Sequence, residues 1–222
     1  LQQGQVDGFI ISPPEESEEQ IRSLLKSKTP HVLVDRYFPD IDSNYVVVDN
    51  TRGAYEGTMH LINKGYKKIA CVTTNARMIN MMQRLEGYKQ AHADANIPLL
   101  EERIKVLPFT HEKDDVLLAI KQLLLATKNG VEAILFTTSK IGVMGLESIY
   151  SLGLTIPDDI AVVSFDDPDA YKISNPPVSA IAQPLKELGR ESVRILLEQI
   201  NGENKPVQKM ILKTRFIARK SS

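Results

Sequence analysis

Short β-branched runs alternate with stretches of helical periodicity along the whole chain, and this alternation constrains the fold more than any single residue does. "VDGFIIS" reads as a strand, "EESEEQIRSLLKS" as a helix, and "HVLVDR" and "NYVVVDN" as strands; "KIACVTT", "RIKVL", "EAILFTT" and "DIAVVSF" continue the pattern. Strands separated by helices form βαβ units, and the resulting parallel sheet is covered on both faces, so the expected class is α/β. Thr51 is placed to cap a helix that carries Ala54, Leu61 and Ile62 inward and ends at Gly65. Leu85, Tyr88, Ala91 and Ala95 recur at helical spacing up to "NIP", where proline stops the helix. "HEKDDVLLAIKQLLLATKNG" reads as a helix closing on Asn129-Gly130, and "SKIGVMGLESIYSLG" as one ending at Gly153. Leu185, Leu188, Val193, Leu196, Leu197 and Ile200 mark a late helix, and "VQKMILKTRFIAR" reads as one alternating, half-exposed strand.

A chain of 222 residues can build two cores, and the strands fall into groups before and after "VVVDN", which implies two lobes. The 27 basic and 28 acidic residues leave a net charge of −1, so nothing in the overall charge draws the chain to nucleic acid or to a membrane surface. If DNA is a partner, something outside these residues must grip it. The single cysteine, Cys71, lies inside "IACVT", where it reads as a packed thiol; this excludes an intramolecular disulfide and suits a reducing compartment. No run approaches the ~20 apolar residues of a membrane span. No signal peptide opens the sequence, so a cytoplasmic protein is expected.

The search for chemistry first removes enzymes. G-x-G-x-x-G, G-x-x-x-x-G-K-[ST] and G-x-S-x-G are all missing, and His31, His60, His92 and His111 show no metal-ligand spacing, so neither metal nor cofactor is expected. His92 reads as the polar face of a helix and His31 as the solvent edge of a strand. What remains is a set of polar residues where the strands exit: Ser12; Asp35 and Arg36; Asp49 and Asn50; Thr74 and Asn75; Thr138 and Ser139; Asp166 and Asp167. In "IAVVSFDDPDA" the carboxylates begin where a doubly buried strand emerges, which is the end at which open α/β sheets bind ligands. Helix capping explains some of these residues, but the recurrence at strand after strand suits a crevice for a polyhydroxylated ligand, whose hydroxyls both donate and accept. Arg84 opens "RLEGYKQAH" near the end of "ACVTT" and reads as either a ligand contact or an exposed arginine. Phe109, just past "RIKVL", offers a flat stacking face or fills the core.

"VDGFIIS", "PHVLVDR", "YVVVDNTRGAYEGTMHLINKGYKKIACVT", "RLEGY", "GLTIPDDIAVVSFDD", "NPPVSAIAQPLKELGRESVRILLEQING" and "RFIARKS" occur in order across essentially the whole chain. Together they resemble the lactose/galactose-repressor family of bacterial transcription regulators. The resemblance implies a type I periplasmic-binding-protein-like fold: two doubly wound parallel-sheet lobes joined by crossover segments, with a small effector, often a sugar or sugar acid, in the cleft between them. It implies a first lobe of residues 1–50 plus 184–204, incomplete at its start, and a second of 51–183 plus 205–222. Matched by position, Asp35, Arg84, Thr138 and Asp166 fall on effector contacts, Phe109 on an aromatic stacking position and Ser12 on a first-lobe contact. A homodimer, joined largely through the second lobe and "DPDAYKISNPPVSAI", is implied as well, with operator DNA reached only through a helix-turn-helix headpiece absent from this sequence. The missing first strand and helix units should leave an open sheet edge. The alternative reading is a periplasmic sugar-binding protein of a transport system. Two positions depart from the family pattern: "TTSK" stands where many members carry an Asn-Asp pair, and "SFDD" lacks the glycine that often precedes the aromatic.

Overall fold

A computed structural model describes residues 6–74, 77–125, 130–203 and 205–222. Asn75, expected at a strand exit, and Asn129, expected to close a helix, lie outside the described residues. The chain divides into two units, Leu1–Asp49 with Met78–Asn80 and Pro184–Lys213, and Asn50–Arg77 with Met81–Gln183 and Thr214–Ser222.

The first unit holds β1 (Phe9–Ile11), α1 (Glu18–Lys26), β2 (His31–Val34) and β3 (Tyr45–Val48). The late helix joins it as α7 (Leu185–Ile200), followed by β9 (Lys209–Leu212). Its four strands run parallel in the order β1-β2-β3-β9. Strand alternation separates two cores: Val32, Val46 and Val48 meet Leu188 and Ile195 of α7, while Leu33, Tyr45 and Val47 meet Ile21 of α1. β1 and β9 are the edges, and Ile10 and Ile211 are exposed on them.

The second unit contains α2 (Asn50–Asn63), β4 (Ile69–Thr74), α3 (Ile79–Asp94, whose first two residues group with the first unit) and β5 (Ile104–Leu107). It continues with α4 (Lys113–Leu125), β6 (Ala133–Phe136), α5 (Ser139–Ser151), β7 (Ala161–Phe165), α6 (Asp169–Ile173), β8 (Ser179–Ala182) and β10 (Arg215–Ile217). Six strands stand in the order β10-β8-β7-β6-β4-β5, all parallel except β10 against β8. Ile69 and Cys71 of β4 face the layer of Ala54, Leu61 and Tyr88, whereas Ala70 and Val72 face Val116, Ile120, Ile141 and Ile149, so helices cover both faces. Burial pushes the Cys71 thiol up to about 12 and leaves it a packing group.

Sequence and structure differ at several points. The stretch from Val207 to Arg219 is two strands rather than one, and residues 205–213 belong with the first unit because β9 pairs with β3 while β10 pairs with β8. α2 begins at Asn50, so Thr51 lies within its first turn rather than before it. His31 and His92 are buried, not exposed: His31 Nδ1 lies 2.8 Å from the Thr29 carbonyl and its Nε2 3.1 Å from Ser43 Oγ, and His92 Nδ1 lies 3.0 Å from the Tyr88 carbonyl. An imidazole whose nitrogens find such partners can enter a core that a lysine cannot. Among the described residues no helix is long and apolar enough to cross a membrane.

Candidate functional site

In the second unit the polar strand exits gather around the start of α5. Arg84 is 2% exposed, so it is not a surface arginine. Its Nε donates to Asn50 Oδ1 at 2.8 Å, its Nη1 donates to the Thr137 carbonyl at 2.6 Å, and its guanidinium lies over the Phe165 ring, 3.6 Å from the centroid. These partners come from the first turn of α2 and the ends of β6 and β7, so one side chain on α3 reads three strand-to-helix junctions. Asn50 is itself buried, and its Nδ2 donates to Gln83 Oε1 at 3.2 Å. α2 and α3 approach closely here because Gly87 has no side chain; a Cβ there would meet the Thr51 carbonyl oxygen.

Asp166 follows β7 directly. Its Oδ2 accepts from the Ser139 backbone N–H at 3.1 Å and its Oδ1 from Gln183 Nε2 at 2.6 Å. Ser139 is the first residue of α5, so the carboxylate sits where backbone N–H groups and the helix dipole favour negative charge. Thr138 is the N-cap of that helix, its hydroxyl oxygen accepting from Ile141 N at 3.2 Å. The hydroxyl expected to contact a ligand therefore also has a capping role, which leaves its proton free to point elsewhere. The other carboxylates of "FDDPDA" divide their work. Asp167 makes a two-pronged pair with Arg219, at 2.7 and 2.9 Å, that ties the residues after β10 to the end of β7. Asp169 is exposed in the first turn of α6 and pairs with Lys172 at 2.8 Å. Phe109 is 60% exposed in the loop after β5, so it is not a core residue.

In the first unit, Ser12 and Asp35 follow the neighbouring parallel strands β1 and β2. Both Asp35 oxygens lie 3.3 Å from Asn80 Nδ2, and Oδ2 also receives Arg36 Nε at 3.2 Å. Ser12 is exposed. Asp35 and Asp166 share an unusual backbone, with φ of 70° and 68°, a left-handed conformation that asparagine and aspartate tolerate better than other side chains. Strain of this sort collects where a side chain must be aimed.

The sequence pattern does not single out Asn80 or Gln183, and it marks Asn50 only as a strand exit. Gln183 carries a signal all the same, since it is the first amide-bearing residue after the buried run "VSAIA" and stands before a proline. Asn80 carries none, because only the fold brings it to Asp35. Among the described residues no cluster of three or more His, Cys, Asp or Glu side chains is placed to hold a metal ion.

Parallel α/β units with oriented carboxylates and a buried arginine at their strand exits define a ligand-binding module of the periplasmic-binding type. The chain belongs to the family of the periplasmic binding protein-like domain, whose sequence model matches residues 58–222, and its relatives are regulators of the lactose-repressor type. The HTH-type transcriptional regulator DegA of Bacillus subtilis (strain 168) is 28% identical over 227 residues, spanning 100% of this chain and 66% of that protein. A structure of the transcriptional regulator CelR in complex with cellobiose superposes with a TM-score of 0.89 at 28% identity, covering 98% of this chain and 66% of that one. A LacI family transcriptional regulator from Enterococcus faecium with bound ribose gives a TM-score of 0.86 at 28% identity, covering 98% of this chain and 80% of that one. The chain spans just under two thirds of the length of the curated relatives it matches, 66% and 63% for DegA and CelR. Those relatives are transcriptional regulators.

Proposed function

We propose that this chain is the effector-binding and dimerisation core of a cytoplasmic LacI-type transcriptional regulator. In this reading it binds a sugar or sugar derivative, and the binding alters operator affinity through a DNA-binding headpiece. The observation that carries the reading is a local geometry that Asp35 and Asp166 have in common, one in each unit: each follows a parallel strand, each is held in the left-handed region, and each has its carboxylate oriented by a side-chain amide. Carboxylates aimed in this way accept hydrogen bonds from ligand hydroxyls, at about 1.5–3 kcal/mol for each charge-assisted bond. Arg84 orders the second-unit junctions around its guanidinium, Thr138 offers a hydroxyl proton, Phe109 an exposed ring for a sugar face, and Ser12 a further hydroxyl. The relatives bound to cellobiose and ribose support a carbohydrate class, and the regulator relatives favour this reading over a transport protein.

The mechanism asks for no bond chemistry. An effector that prefers one arrangement of the core shifts operator affinity by its differential affinity alone, typically ~1–3 kcal/mol. A homodimer would place two headpieces on a palindromic operator. A thermal-shift screen of the full-length protein against ribose, cellobiose, sugar phosphates, sugar acids and purines tests the reading. A ligand at ~100 times its Kd adds ~2.7 kcal/mol of stability, and a screen in which no sugar or sugar derivative raises Tm rejects the carbohydrate class. Light scattering tests the dimer.

A further inference from the structure

Asn50, Asn80 and Gln183 stand where the chain passes from one unit to the other, and each holds one of the charged residues of the candidate site. Asn50 opens the second unit after Asp49, Asn80 ends the short Met78–Asn80 segment that groups with the first unit, and Gln183 is the last residue before the chain returns to the first unit at Pro184. Asn50 Oδ1 accepts from Arg84 Nε at 2.8 Å, Asn80 Nδ2 donates to both Asp35 oxygens at 3.3 Å, and Gln183 Nε2 donates to Asp166 Oδ1 at 2.6 Å. Each contact lies within a single unit, Asn80 with Asp35 in the first and the other two pairs in the second. Asn50 and Asn80 are buried and Gln183 is half-buried, so packing holds the amides as well. An amide suits this task because it is neutral and has both a donor and an acceptor end. Asn50 turns its oxygen to a cation, whereas Asn80 and Gln183 turn their N–H groups to carboxylates, and none of them cancels the charge it holds. At Asp35 and Asp166 the left-handed backbone sets where the side chain starts and the amide sets where its carboxylate ends.

We infer that Asn50, Asn80 and Gln183 are positioning residues that couple the aim of Arg84, Asp35 and Asp166 to the path of the backbone at the passages between the units. This rests on the proposed function and goes beyond it by naming the side chains through which effector binding reaches the connecting segments. A displacement of the backbone at a passage moves the amide there, and with it the hydrogen bond that aims the charged group. By linkage, a ligand that favours one orientation of those groups holds the passages in the matching path.

Hydrogen exchange on the full-length protein, with and without saturating D-ribose or cellobiose, tests the coupling, because it reads local opening segment by segment. In the wild type the sugar that binds should slow exchange in peptides spanning Asp49-Asn50, Asn80-Met81 and Gln183-Pro184. Gln183→Met keeps the length of the side chain but has no N–H to donate, so it should lose that protection at Gln183-Pro184 and keep it at Asn80-Met81. Asn80→Ala should do the reverse, and it decides alone if Gln183→Met does not fold. By calorimetry each variant should bind the sugar about 3- to 10-fold more weakly, the equivalent of one hydrogen bond. Gln183→Met should add no further loss to Asp166→Gly, because it acts through that carboxylate. Protection lost at both passages alike in either variant marks a merely structural role and overturns the inference, as does unchanged affinity and protection in a folded variant; both results leave the proposed function standing. Should neither sugar nor any other carbohydrate bind the wild type, the functional reading fails and the coupling fails with it.

Discussion

The guanidinium of Arg84 lies 3.6 Å above the ring of Phe165, joining the third helix to the end of the strand that delivers Asp166. A cation over an aromatic face is held by the ring quadrupole, and more strongly when water is excluded, as it is at a side chain 2% exposed. Planarity is what lets one group stack on Phe165 while its edge donates to Asn50 and Thr137.

Arg84→Lys should therefore not be conservative. An ammonium keeps the charge but loses the flat stack and at least one of the two directed donors, to Asn50 Oδ1 and to the Thr137 carbonyl. A loss of about 2–4 kcal/mol is expected in urea unfolding. Arg84→Ala should lose at least as much and weaken effector binding. Wild-type stability in Arg84→Lys would mean that the stack and the fork contribute nothing.

Asp166 separates backbone from carboxylate. At φ 68°, Asp166→Asn keeps a residue that tolerates the left-handed region and still accepts from Ser139 N–H, so Tm should change little. Sugar affinity should fall about 10-fold or more, since a charge-assisted acceptor becomes a neutral one. Asp166→Ala places an intolerant residue in that backbone and should cost about 1–2 kcal/mol more stability than Asp166→Gly. Paired calorimetry and thermal melts of the three variants read the two effects independently.

These residues also mark how far the sequence could be read. Each strand exit was legible because a buried β-branched run that turns abruptly polar must leave the core at that point, and Asp35, Thr138 and Asp166 all stand there. Arg84 could be placed near the end of β4, but its partner Asn50 is 34 residues away, and nothing local announces such a pair. The passage between units at Lys213-Thr214 was illegible for a related reason. β9 and β10 are separated by two residues without glycine or proline, so alternation continues through the point where the chain changes sheets. His31 and His92 read as exposed because they are polar, whereas carbonyl partners inside the fold let both rings be buried.

Burial holds the His92 imidazole below its ordinary value of 6.5, with Arg103 adding to the effect and the Tyr88 carbonyl opposing it; His60 is lowered chiefly by burial too. A base that protonates more readily when unfolded makes the unfolded state bind more protons, so stability rises with pH across this window. The contribution should be complete above about pH 6.5 and be lost as pH falls from there through the depressed folded value. Urea midpoints measured from pH 7.5 to 5 should decline, and His92→Gln should decline less steeply. Parallel slopes for the two proteins would remove His92 as a source of the acid sensitivity.

Gly87, in "RLEGY", sits where α3 crosses the first turn of α2, and a Cβ there would collide with the Thr51 carbonyl oxygen while lying 2.9 Å from the Tyr55 nitrogen. Both obstacles are backbone, which cannot rotate aside as a flexible side chain would. Gly87→Ala must instead push the two helices apart, and that separates Arg84 on α3 from Asn50 on α2. In an exposed helix the same change would add stability, because alanine is the better helix former by ~1 kcal/mol. Here overpacking should outweigh that gain and leave a net loss of about 1–3 kcal/mol. The displaced helix should also reduce sugar affinity, although Gly87 itself touches no candidate ligand group. Urea unfolding with calorimetry on one preparation decides the matter: increased stability with unchanged binding would mean that the crossing is looser than these distances require.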